Sequence, residues 1–548
     1  MKKSHTVIPV MLLTLFVAGC NSSSNTTPSD TTPSTGTSTS TSTQTWEGKT
    51  NEDFEYAKTT YTDLSGQEQP LTRNTLYLNQ NAPHLDSLAP EPHVMIVPFG
   101  FTDENLQEKQ TPETIERMRK TFFGTPEELA EVGGWESLAT YYQKSSYGKS
   151  NFQGQVIPSW CVYDGTAEQF KSKFGGGLGI GAAEYAAKWY RTEYAKEGHG
   201  SLGEDAHPYS WFDSDKDGFL DLVWIVYSQP TGTTNDWWAY VTYTSNSSNK
   251  ITPTVKTLGF ASIDWMNSGF NGYDPHTFIH ETGHTYGLDD YYDYKNTWTP
   301  MCGVDMMDHN LGDHSMYSKF TLGWTKPLVV DDTAQITLYP GTTTGDCFII
   351  PSPNYNGTAF DEYMMFELMA PVGLAEQDYI NGYTGTTGFN VPGVRITHVD
   401  ARAYKANTDK FNGENVVEPQ NCVDLILDNT YGGRITENDY FETSSGGKSY
   451  MYNYGLMVSN GKTWEKGLSV DSGALFKKGA RFNLDEGSSW AQTMPSGSNL
   501  WNKAKVNNGK YSNYTIDKTC TFDYSIRVVS IEEDATYGYK AVVQVTKR

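Results

Sequence analysis

Eleven residues, His280-Glu281-Thr282-Gly283-His284-Thr285-Tyr286-Gly287-Leu288-Asp289-Asp290, constrain this chain more than any others. They read H-E-x-x-H-x-x-G-x-x-D. Histidines four apart share one face of a helix, because four residues are close to one turn. Two imidazoles on that face can meet on a single zinc ion at about 2.0–2.1 Å. Glu281 follows the first histidine and is placed to act as general base toward an attacking water. Gly287 can adopt a left-handed conformation, end the helix and turn the chain back. Asp290 then falls where a third ligand is needed. Three protein ligands and one open position suit a hydrolytic zinc site better than a structural one.

A bare H-E-x-x-H also arises by chance in ordinary helices, so the flanks carry weight. Asp274-Pro275 reads as a helix start, with Asp as N-cap and Pro at the first helical position. Phe278 and Ile279 offer an apolar anchor. The third ligand follows by elimination. Thermolysin-type zinc peptidases take a glutamate from a later helix, and here no Glu lies between Glu281 and Glu362. Asp289, Asp293, His309 and His314 compete with Asp290, which is favoured. Asp289 comes one residue too early after the glycine turn.

A second cluster, Asp213 to Asp221, alternates as a calcium loop does. Asp213, Asp215, Asp217 and Asp221 offer hard carboxylate oxygens at positions 1, 3, 5 and 9 of such a loop. Phe219 offers its carbonyl at position 7, and Gly218 the sharp bend. Position 12 is Trp224, inside the apolar run Leu222 to Tyr227. The loop therefore feeds a strand rather than a second helix. A solvated acidic turn is the plainer reading; calcium in a structural role is the expectation.

The N-terminus reads as an export signal. Lys2 and Lys3 precede a mostly apolar stretch, Val7 to Val17, and Val17-Ala18-Gly19-Cys20 is a lipobox. The stretch is too short to span a bilayer. Residues 1–20 are thus expected to be a lipoprotein signal peptide, with cleavage before Cys20 and lipid on Cys20. Residues 21–45 are nearly all Ser, Thr, Asn, Pro and Gly, a composition that cannot bury a core. They read as a tether with a root-mean-square span of about 25–30 Å. The formal net charge of −24 argues against nucleic acid as a partner. Without Cys20, five cysteines remain: Cys161, Cys302, Cys347, Cys422 and Cys520. At most two disulfides can form among them, and no C-x-x-C spacing suggests a cysteine metal site.

About 500 residues beyond the tether exceed one ordinary core. Residues 46–90 are an N-terminal segment or short pro-segment. From 91 to 327 strands and helices alternate in an α/β (α+β) pattern: strands at Val94–Phe99 and Leu222–Tyr227, helices at Ile115–Phe123, Trp135–Lys144 and Ala182–Lys196. From 328 to 548 short apolar runs alternate with Gly, Asn and Asp turns, as in an all-β region. Examples are Ala334–Tyr339, Cys347–Pro351, Met364–Leu368, Val394–Val399 and Tyr539–Val545. This C-terminal part reads as one sandwich or two small units.

Several blocks, in order, resemble the immune inhibitor A-type secreted bacterial zinc metallopeptidases. They are Val94-Met95-Ile96-Val97-Pro98-Phe99, then Tyr141-Tyr142 with Ser145-Ser146-Tyr147-Gly148-Lys149, then the Asp213–Asp221 block and the H-E-x-x-H helix. Asp305-Met306-Met307, Ser318-Lys319, Leu322-Gly323-Trp324, Glu362-Tyr363, Glu367 and Gly393 to Asp400 follow. The likeness covers roughly residues 90 to 400. It departs at Asp289, where the family commonly has Pro, and at Val304, where an aromatic is common. The resemblance implies a metzincin-like catalytic domain followed by accessory β structure. It also implies a methionine turn beneath the zinc, for which Met307 is the candidate and Met306 and Met301 are alternatives.

Taken together, the expectation is a membrane-anchored, extracytoplasmic zinc endopeptidase. Its partners would be extracellular or host protein substrates, with the membrane reached through lipid at Cys20. Zinc would sit on His280, His284 and Asp290, with Glu281 as catalytic base, and calcium on the Asp213 loop. The rival readings are a peptidase-fold adhesin and a zinc hydrolase of non-peptide amides.

Overall fold

The run Leu222–Tyr227 is apolar at every position, a pattern that fits a strand covered on both faces. In the computed structural model it lies inside a mixed sheet. The structure describes residues 46–62, 66–70, 88, 91–232, 235–267, 273–288, 290–291, 305–309, 312–352, 355, 357–359, 362–376, 379, 389, 391–400, 441–442, 448–449, 454–457, 475–483 and 522–548. Strands β1 (His93–Gly100), β2 (Gln153–Val156), β3 (Cys161–Val162), β4 (Leu222–Tyr227), β5 (Tyr240–Tyr243) and β6 (Thr257–Ser262) form that sheet. Its path is β2-β1-β4-β6-β5, with β3 also paired to β1. Every pairing is parallel except that of β6 with β5, which makes β5 an antiparallel edge.

Helices cover both faces. They are α1 (Pro112–Phe123), α2 (Leu138–Ser145), α3 (Ala167–Phe174), α4 (Leu178–Tyr194) and α5 (His276–Thr285). Strand alternation sorts the side chains between two cores. Val94, Ile96, Leu222, Trp224 and Val226 join α1, α2 and α5 in one. Met95, Val97, Phe99, Val223, Ile225 and Tyr227 join α3 and α4 in the other. Local signals set the helix starts. Thr111 accepts the Thr114 amide with Pro112 in the first turn, so α1 begins three residues before the expected Ile115. Ser137 is extended and caps α2 through the Thr140 amide, so α2 begins at Leu138 rather than Trp135.

Beyond residue 327, besides a short ribbon of Phe441–Glu442 with Lys448–Ser449, the strands are β7 (Leu328–Val329), β8 (Ala334–Leu338), β9 (Phe348–Pro351), β10 (Glu362–Met369), β11 (Gly393–Asp400), β12 (Tyr454–Met457), β13 (Arg481–Asn483), β14 (Tyr524–Asp534) and β15 (Gly538–Lys547). They build a five-stranded sheet, β7-β9-β10-β11-β12, and a four-stranded sheet, β8-β15-β14-β13. Phe348, Phe366 and Ile396 of the first share a core with Ile336, Ile526 and Val543 of the second, which makes a sandwich. The other face of the five-stranded sheet is buried too. Tyr363, Met365 and Val399 belong to the core that contains Phe278 and Ile279 of α5. The sequence pattern thus changes near residue 328, while the apolar core runs across that point.

Part of the N-terminal segment lies along the same region. The Val329 amide donates to the Glu55 carbonyl and the Ala57 amide to the Pro327 carbonyl, both at 2.8 Å. Asn51 exchanges two hydrogen bonds with the Thr337 backbone, each of 2.9 Å. Among the described residues, no helix is long and apolar enough to cross a membrane.

Candidate metal centre

Helix α5 is held from two sides. Phe278 and Ile279 are fully buried, and each buried side chain of that size contributes about 1.5–3 kcal/mol. From β4 the Trp224 indole N–H donates to Thr282 Oγ1 at 3.3 Å. From α2 the Tyr142 hydroxyl donates to the Ile279 carbonyl at 2.7 Å. Asp274 accepts the His276 amide at 3.0 Å, the bond expected of a cap. Regular helix begins at His276, though, with Pro275 in the N-cap place, one residue later than the sequence suggested.

The helix ends as Gly287 permits. Its φ of +80° is left-handed, and the Leu288 amide closes back on the Gly283 carbonyl at 3.2 Å. This return brings Asp290 to the histidines. His280 Nε2 lies 2.9 Å and His284 Nε2 3.3 Å from Asp290 Oδ1. The three donor atoms all lie within 4.8 Å of one another. Donors bound tetrahedrally to one ion at about 2.0–2.1 Å stand roughly 3.3 Å apart, so the spacing fits a shared zinc.

The opposite ring nitrogens are fixed by backbone carbonyls. His280 Nδ1 pairs with the Met306 carbonyl at 2.7 Å and His284 Nδ1 with the Leu288 carbonyl at 2.8 Å. Since a carbonyl only accepts, each Nδ1 carries the proton and each Nε2 of a neutral ring presents a lone pair to Asp290. Lone pairs facing a carboxylate require positive charge between them. Burial by itself lowers the His284 pKa, but the Asp290 charge overrides it and holds the value up at about 10. Burial likewise pushes the Asp290 carboxyl up, and the two imidazoles override that and hold it below the ordinary carboxylate range. A divalent cation answers the same demand, so the donor chemistry fits the zinc expected from the sequence.

Glu281 sits beside these donors, half-buried. Its pKa is raised, chiefly by loss of water, against the lowering effect of both histidines and of the Val241 amide. Strand β5 therefore runs beside the site, and the Tyr243 hydroxyl donates to the His284 carbonyl at 3.1 Å. Beneath the helix lies Met307, fully buried. A Cβ built on Gly283 would stand 2.5 Å from Met307 Sδ. Met306 contributes its carbonyl instead. His314 is buried against Tyr141, Tyr142 and Trp324, with its Cε1 3.4 Å from that same Gly283 Cβ, and is not among the converging donors. Asp289, Asp293, Met301, Cys20, Cys302, Cys422, Cys520 and the His309 side chain lie outside the described residues. Cys161 and Cys347 are buried free thiols.

The second cluster is brought together in part. Asp213, Asp215 and Asp221 place carboxylate oxygens within 4.8 Å of one another. Asp217 is not of that group: its Oδ1 accepts the Phe219 amide at 2.7 Å, which closes the loop on itself. Phe219 enters a two-residue ribbon with Thr254, and its ring carries the Lys256 ammonium. Gly218 has φ +97°, as a sharp bend requires. Asp221 accepts the amides of His93 at 2.7 Å and Ser214 at 3.0 Å. Asp213 Oδ1 is buried with no hydrogen-bond partner, the kind of orphaned oxygen a calcium ion would satisfy. Burial raises the Asp213, Asp217 and Asp221 pKa values, and Asp215 adds repulsion.

Two contributors escaped the sequence altogether. The Met306 and Leu288 carbonyls that orient the histidines are backbone groups, which no residue type announces. Comparison with protein-family models and with curated proteins finds no match to this chain. The resemblance read from the motif blocks therefore rests on those blocks alone.

Proposed function

We propose that this chain is a zinc-dependent endopeptidase with a metzincin-like catalytic unit. It would be anchored through lipid at Cys20 and act outside the cytoplasm on protein substrates. The observation that carries the reading is the meeting of His280 Nε2, His284 Nε2 and Asp290 Oδ1 with Glu281 alongside. A zinc ion held by those three residues would supply Lewis acidity, lowering the pKa of a water toward about 7. Glu281, which follows His280 and lies beside the converging donors, is placed to take a proton from the attacking water and pass it to the leaving amine. A peptide is favoured as substrate because β5 is a sheet edge among the described residues. Such an edge can take an extended chain as an added strand. Trp238 and Tyr240 are large apolar side chains left exposed there, at 40% and 43%. The Asp213, Asp215 and Asp221 group is proposed as a structural calcium site, supported by the unpaired Asp213 oxygen.

Glu281→Gln tests the reading. The variant should retain its metal and lose about 10²–10⁴-fold in cleavage of casein or gelatin. Cleavage at the native rate would refute the assignment.

A further inference from the structure

Strands β10 and β11 are largely apolar, yet Glu367 and Arg395 stand opposite one another in register. Each is 3% exposed, and Arg395 Nε donates to Glu367 Oε1 at 2.7 Å. Taking two charges out of water costs more than their attraction usually returns, and apolar residues of similar volume are often as stable. Packing alone gives no reason for the pair.

Alternation along the strands fixes where it points. Tyr363 and Met365 share its face of β10, and Val399 shares its face of β11. All three belong to the core that holds α5, Met306 and Met307. The pair therefore faces the metal helix and not the sandwich interior. On that side lies the Met306–Met307 segment, and Asp305, the residue before it, is buried. Its Oδ1 accepts the Met307 amide at 2.8 Å and its Oδ2 the Ser315 amide at 3.0 Å. Burial pushes the Asp305 carboxyl up to about 7, and the Arg395 charge holds it below where burial alone would put it. Burial works against Arg395 in turn, and Glu367 first, then Asp305, offset it. The segment so pinned carries the Met306 carbonyl that orients His280.

Resting on the zinc reading, we propose that the Glu367–Arg395 pair is a positioning device. Through Asp305 it fixes the turn whose Met306 carbonyl aims His280 at the metal. The β region is then part of the catalytic unit through a pair that acts on the metal site at one remove.

The test compares the full chain with its double variant Glu367→Met, Arg395→Met. Removing both charges spares the fold the cost of one unpaired buried ion. Zinc affinity is measured by competition with a chromophoric chelator, well below the melting temperature. The double variant should melt close to the parent yet bind zinc about tenfold more weakly, with kcat falling rather than KM rising. Arg395→Lys should recover part of the loss. Asp305→Asn supplies a second route if the double variant does not fold: Asn cannot accept both amides, and zinc binding should weaken several-fold. Parent-like zinc affinity in the folded double variant or in Asp305→Asn overturns the positioning role and leaves the zinc reading standing. A parent chain that takes up no zinc overturns both.

Discussion

Two groups of side chains in this molecule converge on a point, and they are built in opposite ways. His280 and His284 project from a helix pinned by Trp224 and Tyr142, and each ring is aimed by a carbonyl behind it. Asp290 completes the group, buried. Asp213, Asp215 and Asp221 come from one loop, where Asp215 is exposed and Asp221 already serves two amides. The first arrangement fixes donor geometry in advance, which is what reaction at a metal needs. The second gathers charge within a single loop, each carboxylate held by backbone amides, which suits an ion that braces a loop.

The sharpest way to break this contrast is to remove metals selectively. A zinc-selective chelator should abolish casein cleavage, and added zinc, not calcium, should restore it. A calcium-selective chelator should leave the initial rate nearly intact and lower the melting temperature. Restored calcium at about 100 times its Kd should return roughly 2.7 kcal/mol. If calcium alone restores cleavage, the two roles are reversed. Asp213→Asn then sharpens the loop's side of the comparison: the calcium-dependent rise in melting temperature should vanish while cleavage persists. The smallest effect tests how tightly the helix is seated. Gly283→Ala puts a methyl group against the Met307 thioether, an overpacking of about 1–3 kcal/mol in denaturant unfolding that the roughly 1 kcal/mol gain in helix propensity offsets in part. A neutral outcome would mean that the floor beneath the histidines is loose.

The parts legible in the sequence were those where one local signal decides. Strand β4 occupies the predicted span, Leu222–Tyr227. His280, His284 and Asp290 meet as their spacing suggests, because helix pitch and the Gly287 turn are local geometry. Glycine misled elsewhere. Helix α4 begins at Leu178, four residues before the expected Ala182, through a stretch that reads as loop. Gly179 there lies against Phe260 and Gly181 against Phe174, where a Cβ would collide. Strand β6 was hidden by Gly259, which makes room for the Trp224 ring. Asp217 stands outside the converging group of Asp213, Asp215 and Asp221, which position counting does not reveal. Glu367 and Arg395 stood out only within the resembling blocks. Their meeting depends on β10–β11 register across 28 residues of sequence.

Zinc titration of the metal-stripped chain, followed calorimetrically beside His284→Ala, is the most direct test of the central claim. One zinc should bind tightly per parent chain, and the variant should bind it at least about a hundredfold more weakly. Equal affinity in the two proteins, or no zinc bound by the parent, would contradict it.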